Sequence, residues 1–206
     1  MAELNIAQKV QLNKQVYWKN GELFVWTVPG IIIPTYTFIE IIHAFEQKIK
    51  DAHGILYAIG EKQTLIATEY MMQKFGFKTK IDIINSVLQQ SALLGYGEFK
   101  IVNINLKEGL AIFRCNNTPF AKYYKTLYGI QKNPVDAYMA GTLAGMIKVI
   151  TGKDIFCIET KCIAKGDSYC LFEAKPLDKC DKKILAQQKI DYEHLNKIRK
   201  IISKPH

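Results

Sequence analysis

Between Asn133 and Gly152 the chain reads NPVDAYMAGTLAGMIKVITG, and five small residues in it, Ala137, Ala140, Gly141, Ala144 and Gly145, recur at three- and four-residue intervals. On a helix that spacing draws one stripe with almost no side-chain thickness. Such a stripe lets another element pack at close range, and a mid-helix glycine costs about 1 kcal/mol against alanine, so two glycines here need a reason of that kind. Asn133 reads as the cap, Pro134 as the first helical residue and Gly152 as the stop. Whatever fold this chain adopts must therefore place this helix centrally.

The segments on either side have the period of strands. FKIVNINL (99–106) and GLAIFRC (109–115) precede the helix, joined by a Lys107-Glu108-Gly109 turn; DIFCIET (154–160) and SYCLFEA (168–174) follow it, joined by Lys165-Gly166-Asp167. Upstream, three stretches have helical period. TFIEIIHAFEQKIKDAHG (37–54) places Phe38, Ile41, Ile42, Phe45 and Ile49 on one face, with Thr37 and Glu40 as a capping box and Gly54 as the stop. Residues 55–76, with a bend expected at Gly60, and 80–97 are the other two. QVYWKNGELFVWTV (15–28) reads as a hairpin turning on Asn20-Gly21, interrupted by Pro29 and Gly30. A last charged helix, 181–203, aligns Ile184, Leu195, Ile198 and Ile202. The expected architecture is α+β, an antiparallel sheet backed by helices, with an N-terminal hairpin segment (1–34), a main domain (35–176) and a C-terminal basic helix (177–206).

Composition excludes several function classes. The net charge of +9 raises nucleic acid as a partner, but residues 177–206 hold eight Lys/Arg against four Asp/Glu and so supply +4 of it, and the rest is spread thinly. No basic run or helix-turn-helix signature accompanies it, which argues against nucleic-acid binding. The longest near-apolar helical stretch, AYMAGTLAGM (137–146), is too short to span a bilayer, and no signal-peptide pattern opens the chain. A cytoplasmic protein is expected, and in a reducing compartment five cysteines point to metal ligands or buried thiols more than to a disulfide framework.

Chemistry concentrates in ETKCIAKGDSYC (159–170). Glu159 ends one strand, Cys162 enters the turn and Cys170 begins the return, so a hairpin closing on Gly166 brings the two thiols face to face beside a carboxylate. That donor set suits Zn²⁺, which takes Cys and Glu in a tetrahedral site. Two other readings stay open on spacing alone: inert core thiols, Cys170 alternating with Phe172, and a cross-hairpin disulfide.

The run 136–174 resembles the 4-vinyl reductase domain family, in which a small-residue helix with two glycines is followed by a further Gly, a strand ending in Glu, then Cys, Gly-Asp and Cys. Gly141, Gly145, Gly152, Glu159, Cys162, Gly166, Asp167 and Cys170 match in order and spacing. The resemblance implies a fold similar to that of vesicle-tethering transport-particle subunits, with zinc held by Glu159, Cys162 and Cys170. The aromatic-sensing members carry a further cysteine near the start of the helix, where this chain has Asp136. Asp136 would complete a harder, more anionic site, or it is an acid favoured by the helix dipole.

The resemblance also implies a small hydrophobic pocket beside the metal. Phe113, Cys115, Phe120, Tyr123 and Tyr138 lie in the segment that would line it, together with Tyr124. His43, off the apolar helix face, reads as solvated, and His53 as a cap. Three functions compete: a homodimeric sensor or adaptor for a small hydrophobic or aromatic ligand, acting through a regulatory protein partner; an enzyme or enzyme subunit acting on a vinyl-bearing tetrapyrrole, which would need a reductant; and a scaffold with structural zinc. No glycine-rich dinucleotide fingerprint follows a strand, so the sensor is the leading expectation.

Overall fold

The computed structural model describes residues 16–25 and 28–202. Gln15, Trp26 and Thr27 of the expected hairpin, residues 1–14 of the expected N-terminal segment and residues 203–206 fall outside that range, as do the side chains of Val28, Lys182 and Ile184. The chain divides into two compact units, Met1–Phe38 and Ile39–His206.

The first unit holds a three-stranded antiparallel sheet. β1 (Val16–Lys19) and β2 (Glu22–Val25) pair across Asn20-Gly21, both at positive φ (53° and 83°), the left-handed pair that a two-residue hairpin demands. β3 (Val28–Gly30) then pairs with β2, Pro29 opposite Phe24. The break expected at Pro29 and Gly30 is thus a strand. On an edge strand the missing amide of proline can face away from the ladder, so the residue is tolerated there.

α1 (Thr35–Lys48) spans the boundary between the units. It starts two residues before Thr37, so the expected capping box is absent. Its buried apolar residues are Ile39 and Ile42, while Ile41, Phe45 and Ile49 are exposed; the face is phased differently from the expected one. Gly54 does not stop it. Asp51 caps a new helix there, accepting from the Gly54 amide at 3.2 Å, and α2 (Ala52–Lys74) runs through Gly60 for 23 residues. His53 lies inside α2 and bonds Glu46 at 2.8 Å instead of capping. α3 (Lys80–Leu93) begins with a Thr79/Asp82 capping box.

The main sheet has the order β4-β5-β7-β6, antiparallel throughout: β4 (Phe99–Asn105), β5 (Leu110–Cys115), β6 (Ile155–Lys161) and β7 (Cys170–Pro176). Two helices separate its halves where the sequence implies one. Thr118 caps α4 (Pro119–Tyr128), taking the Ala121 amide on its hydroxyl with Pro119 in the first turn. α5 (Ala137–Thr151) follows, starting at Ala137, so Asn133 and Pro134 precede it without capping it. Gly152 ends it at φ 68° as expected.

The small stripe of α5 lies against α2. A Cβ on Gly141 would collide with the Tyr57 carbonyl, one on Gly60 with the Tyr138 carbonyl, and one on Gly145 would sit 2.5 Å from the Glu61 carbonyl oxygen. Glycines on both helices thus allow backbone-to-backbone packing at the centre of the fold, which also explains why α2 needs no bend at Gly60.

The expected C-terminal helix is two, α6 (Lys182–Gln187) and α7 (Tyr192–Ile202), broken at Lys189, whose φ is 54°. Leu195 and Ile198 of α7 are buried, and Arg199 grips the buried Glu61 of α2 through Nε (2.6 Å) and Nη2 (2.9 Å). Among the described residues no helix is long and apolar enough to cross a membrane.

Candidate functional site

The β6–β7 hairpin carries the site, and a bulge shapes it. Glu159 stands opposite Phe172, yet Lys161 stands opposite Leu171, so two residues of β6 advance against one of β7. A bulge of this kind shifts the parity of every later side chain. Glu159 and Cys162, three residues apart, thereby come to one face together with Cys170, their ligand atoms all within 4.8 Å of one another. All three residues are fully buried, and both thiols are free.

The turn is held rigidly. The Cys162 amide donates to Asp167 Oδ2 at 2.8 Å, and the Asp167 and Lys165 amides both donate to the Cys162 carbonyl. Gly166, at φ 102°, supplies the left-handed step, and the Ile163 amide points at Cys170 Sγ at 3.3 Å. An N–H directed at a sulfur favours the thiolate that a metal requires.

Asp136 stands next to this trio, immediately before α5, with its own side chain making no cap bond. Its amide donates to Glu159 Oε2 at 3.1 Å, and its Oδ2 accepts the Thr118 hydroxyl at 2.6 Å. The other oxygen of each carboxylate, Asp136 Oδ1 and Glu159 Oε1, is buried with no hydrogen-bond partner. Buried carboxylate oxygens are rarely left so. The helix-dipole role weighed for Asp136 accounts for neither its burial nor its bond to Thr118.

Four acidic groups enclosed together cannot all ionise. Cys162 is the one that gives up its proton most readily, drawn down to about 6, first by the hydrogen bond from Cys170. That same bond, then burial, push Cys170 far up. Burial, then the neighbouring Cys162, raise Asp136 to about 8, and burial followed by Cys162 and Asp136 raises Glu159 as well. A divalent cation would remove that conflict by compensating the charge. The donor set, the orphaned oxygens and the burial all fit a metal ion.

Two residues outside the expected set complete the surroundings. Gln188, between α6 and α7, pairs its side-chain amide with both backbone groups of Glu159, at 3.1 and 3.2 Å, like a one-residue strand on the β6 edge. Thr118 is the other. A Thr-Pro pair ahead of an aromatic run is the signal of a helix start, and it stands in the sequence to be read.

The expected ligand residues divide. Phe120 and Tyr138 meet edge to face, ring centroids 6.1 Å apart, and Tyr96 joins both at 5.9 and 6.1 Å. Burial and then Tyr96 keep the Tyr138 phenol protonated, and its hydroxyl donates to Gln63. Phe113 is buried under the sheet, paired in register with Phe172. Cys115 is in register with Cys170 but directs its thiol to Asn117 at 3.7 Å, and burial raises it to about 12. Tyr123 is half-buried and Tyr124 buried, at adjacent positions of α4 rather than on a strand. An open groove of about 810 Å³, lined by Leu65, Glu69, Lys148 and Arg199 among others, includes none of these residues.

His43 is not solvated. It stacks on Tyr128 with centroids 3.8 Å apart and its Nδ1 lies 3.1 Å from the Tyr124 hydroxyl, which donates to Glu46.

Residues 114–176, which contain all four acidic groups of the site, match the 4-vinyl reductase domain. The chain carries that domain. The phenol-responsive sensory domain of the transcription activator PoxR, solved with phenol, superposes with a TM-score of 0.76 at 15% identity, covering 92% of this chain and all of that one. A vinyl-4-reductase family protein from Methanocaldococcus jannaschii gives 0.50 at 22% identity, covering 72% of this chain and 85% of that one. A trafficking protein particle complex subunit 3 from Naegleria fowleri gives 0.49 at 13% identity, covering 68% and 93%. No curated protein matches the chain. The 4-vinyl reductase segment runs from the end of β5 to the end of β7, so the small-residue helix and the thiol hairpin form its body.

Proposed function

We propose that this chain is a zinc-holding sensory domain for a small hydrophobic or aromatic ligand, acting as a homodimer through a regulatory protein partner. The observation that carries the metal is the pair of orphaned oxygens, Asp136 Oδ1 and Glu159 Oε1, beside two buried thiols. Asp136, Glu159, Cys162 and Cys170 would hold the ion. Four protein ligands leave no open position, so zinc here would fold the domain rather than activate water.

The ligand reading is supported by the Tyr96–Phe120–Tyr138 cluster, whose rings are apolar with hydroxyls at hand, as a small planar ligand requires. The structural neighbour solved with phenol makes phenol the natural first probe. The rings touch one another, so a ligand would enter by parting them.

Elemental analysis, native mass spectrometry and phenol titration on one untagged preparation test the reading. Expected are one zinc per chain and phenol binding that Phe120→Ala abolishes while zinc remains. A metal-free chain two hydrogens light would mean a Cys162–Cys170 disulfide and would overturn it.

A further inference from the structure

We infer that Thr118 is the positioning residue that couples the metal centre to the aromatic cluster, so that zinc and a phenolic ligand bind with linked affinities. This rests on the zinc-and-ligand reading above.

Two contacts join the start of α4 to the start of α5, and they lie side by side. Thr118 donates to Asp136 Oδ2 at 2.6 Å; two residues further along each segment, Phe120 meets Tyr138 edge to face. The Asp136 amide continues the path to Glu159 Oε2. Ligand cluster and metal residues are therefore separated by one hydroxyl.

That hydroxyl has no freedom. Thr118 is fully buried; its one proton is on Asp136, and a lone pair takes the Ala121 amide, the bond that caps α4. Turning it toward any other partner breaks both bonds together. With Asp136 Oδ1 committed to a metal, Oδ2 becomes a fixed acceptor and the α4 cap is locked. Without the metal the carboxylate can turn, and the cap, with Phe120 one residue into the helix, loosens. Outer-sphere partners of this kind change metal affinity by about 10–100-fold, and coupling must run equally in both directions.

The experiment compares the full chain with Thr118→Ser and Thr118→Val. Zinc affinity is measured by chelator competition with and without saturating phenol, phenol affinity with and without zinc, and amide exchange at Ala121 in both metal states. In the unsubstituted protein each ligand should tighten the other by the same factor, at least about fivefold, and zinc should slow Ala121 exchange. Thr118→Ser should keep that factor. Thr118→Val should bind both ligands with the factor reduced to one. Retention of the factor in Thr118→Val would overturn the inference, as would Ala121 exchange indifferent to zinc in the unsubstituted chain, a result that needs no variant. Independent binding of both ligands would overturn the coupling alone. Failure to take up zinc or phenol at all would overturn the functional reading and the coupling with it.

Discussion

Glu159 and Cys162 stand three residues apart and yet present their ligand atoms to the same side of the sheet. On an unbroken strand an odd separation sends two side chains to opposite faces. The bulge between Glu159 and Lys161 supplies the missing step, and Cys162 arrives beside Cys170 because of it.

The thiols can be told apart by this geometry. Cys162→Ser and Cys170→Ser should each lose the metal and several kcal/mol of stability, since metal binding is folding free energy in such a site. Cys115→Ser should keep the metal. Cys115 is as buried as the other two and in register with Cys170, but its thiol faces Asn117. Zinc content and thermal melting of the three variants decide the matter; equal zinc in all three would remove the hairpin from the site.

What can be read from sequence is what local chemistry dictates. The Asn20-Gly21 turn, the Gly166 turn and the α5 stripe each carry their reason in the residues themselves, and each is where it is expected. The hairpin thiols converge as their spacing implies, although the bulge that makes it possible leaves no mark in the sequence. α4 is hidden because PFAKYYKTLY has neither strand alternation nor a plain apolar face, and only the Thr118-Pro119 start betrays it. The phase of α1 is hidden for a different reason. Its inward side is partly polar: His43 and Glu46 meet Tyr124 and Tyr128 from about eighty residues away, and no periodicity can anticipate partners that distant. Gln188 and Thr118 are invisible as site residues on the same ground.

Gly141→Ala should be among the most destabilising single-methyl additions in the chain. Its Cβ would collide with the Tyr57 carbonyl, which belongs to a helix backbone that cannot turn aside. Overpacking of this kind costs about 1–3 kcal/mol or more. Gly76→Ala is the control, since nothing lies within 4 Å of its Cβ position. Denaturant midpoints should separate the two clearly; equal midpoints would mean that α2 and α5 are not in backbone contact.

Glu46 should make stability depend on pH. Burial raises its carboxyl, but hydrogen bonds from His53 and Tyr124 outweigh that and hold it below its ordinary 4.5. A depressed carboxyl binds fewer protons in the folded state than in the unfolded one. Its contribution is therefore present above about pH 4.5 and lost as pH falls through the lower folded value. Glu46→Gln should be less stable than the unsubstituted protein at neutral pH, and the gap should close as pH drops below that point. Parallel stability curves down to about pH 3 would show that the His53–Glu46–Tyr124 contacts carry no such linkage.

The Glu61–Arg199 pair should prove costly to break and cheap to replace. Glu61 is 2% exposed, and Arg199 holds both of its oxygens; the remaining cation nearby, Lys148, is 3.5 Å away and also engaged with Asp154. Arg199→Ala leaves a buried carboxylate without its main partner, a change that typically costs about 3–5 kcal/mol. Replacing both residues by methionine removes the charge along with the need for a partner, and should recover much of the loss. The Glu61 backbone lies against Gly145, more than two helical turns along α5 from Asp136, so neither variant should change zinc content. Chemical denaturation of the single and double variants, with zinc measured on the same samples, tests this. A single variant within about 1 kcal/mol of the unsubstituted chain would mean that the pair contributes no more than an exposed surface bridge, and that α7 is held by Leu195 and Ile198 alone.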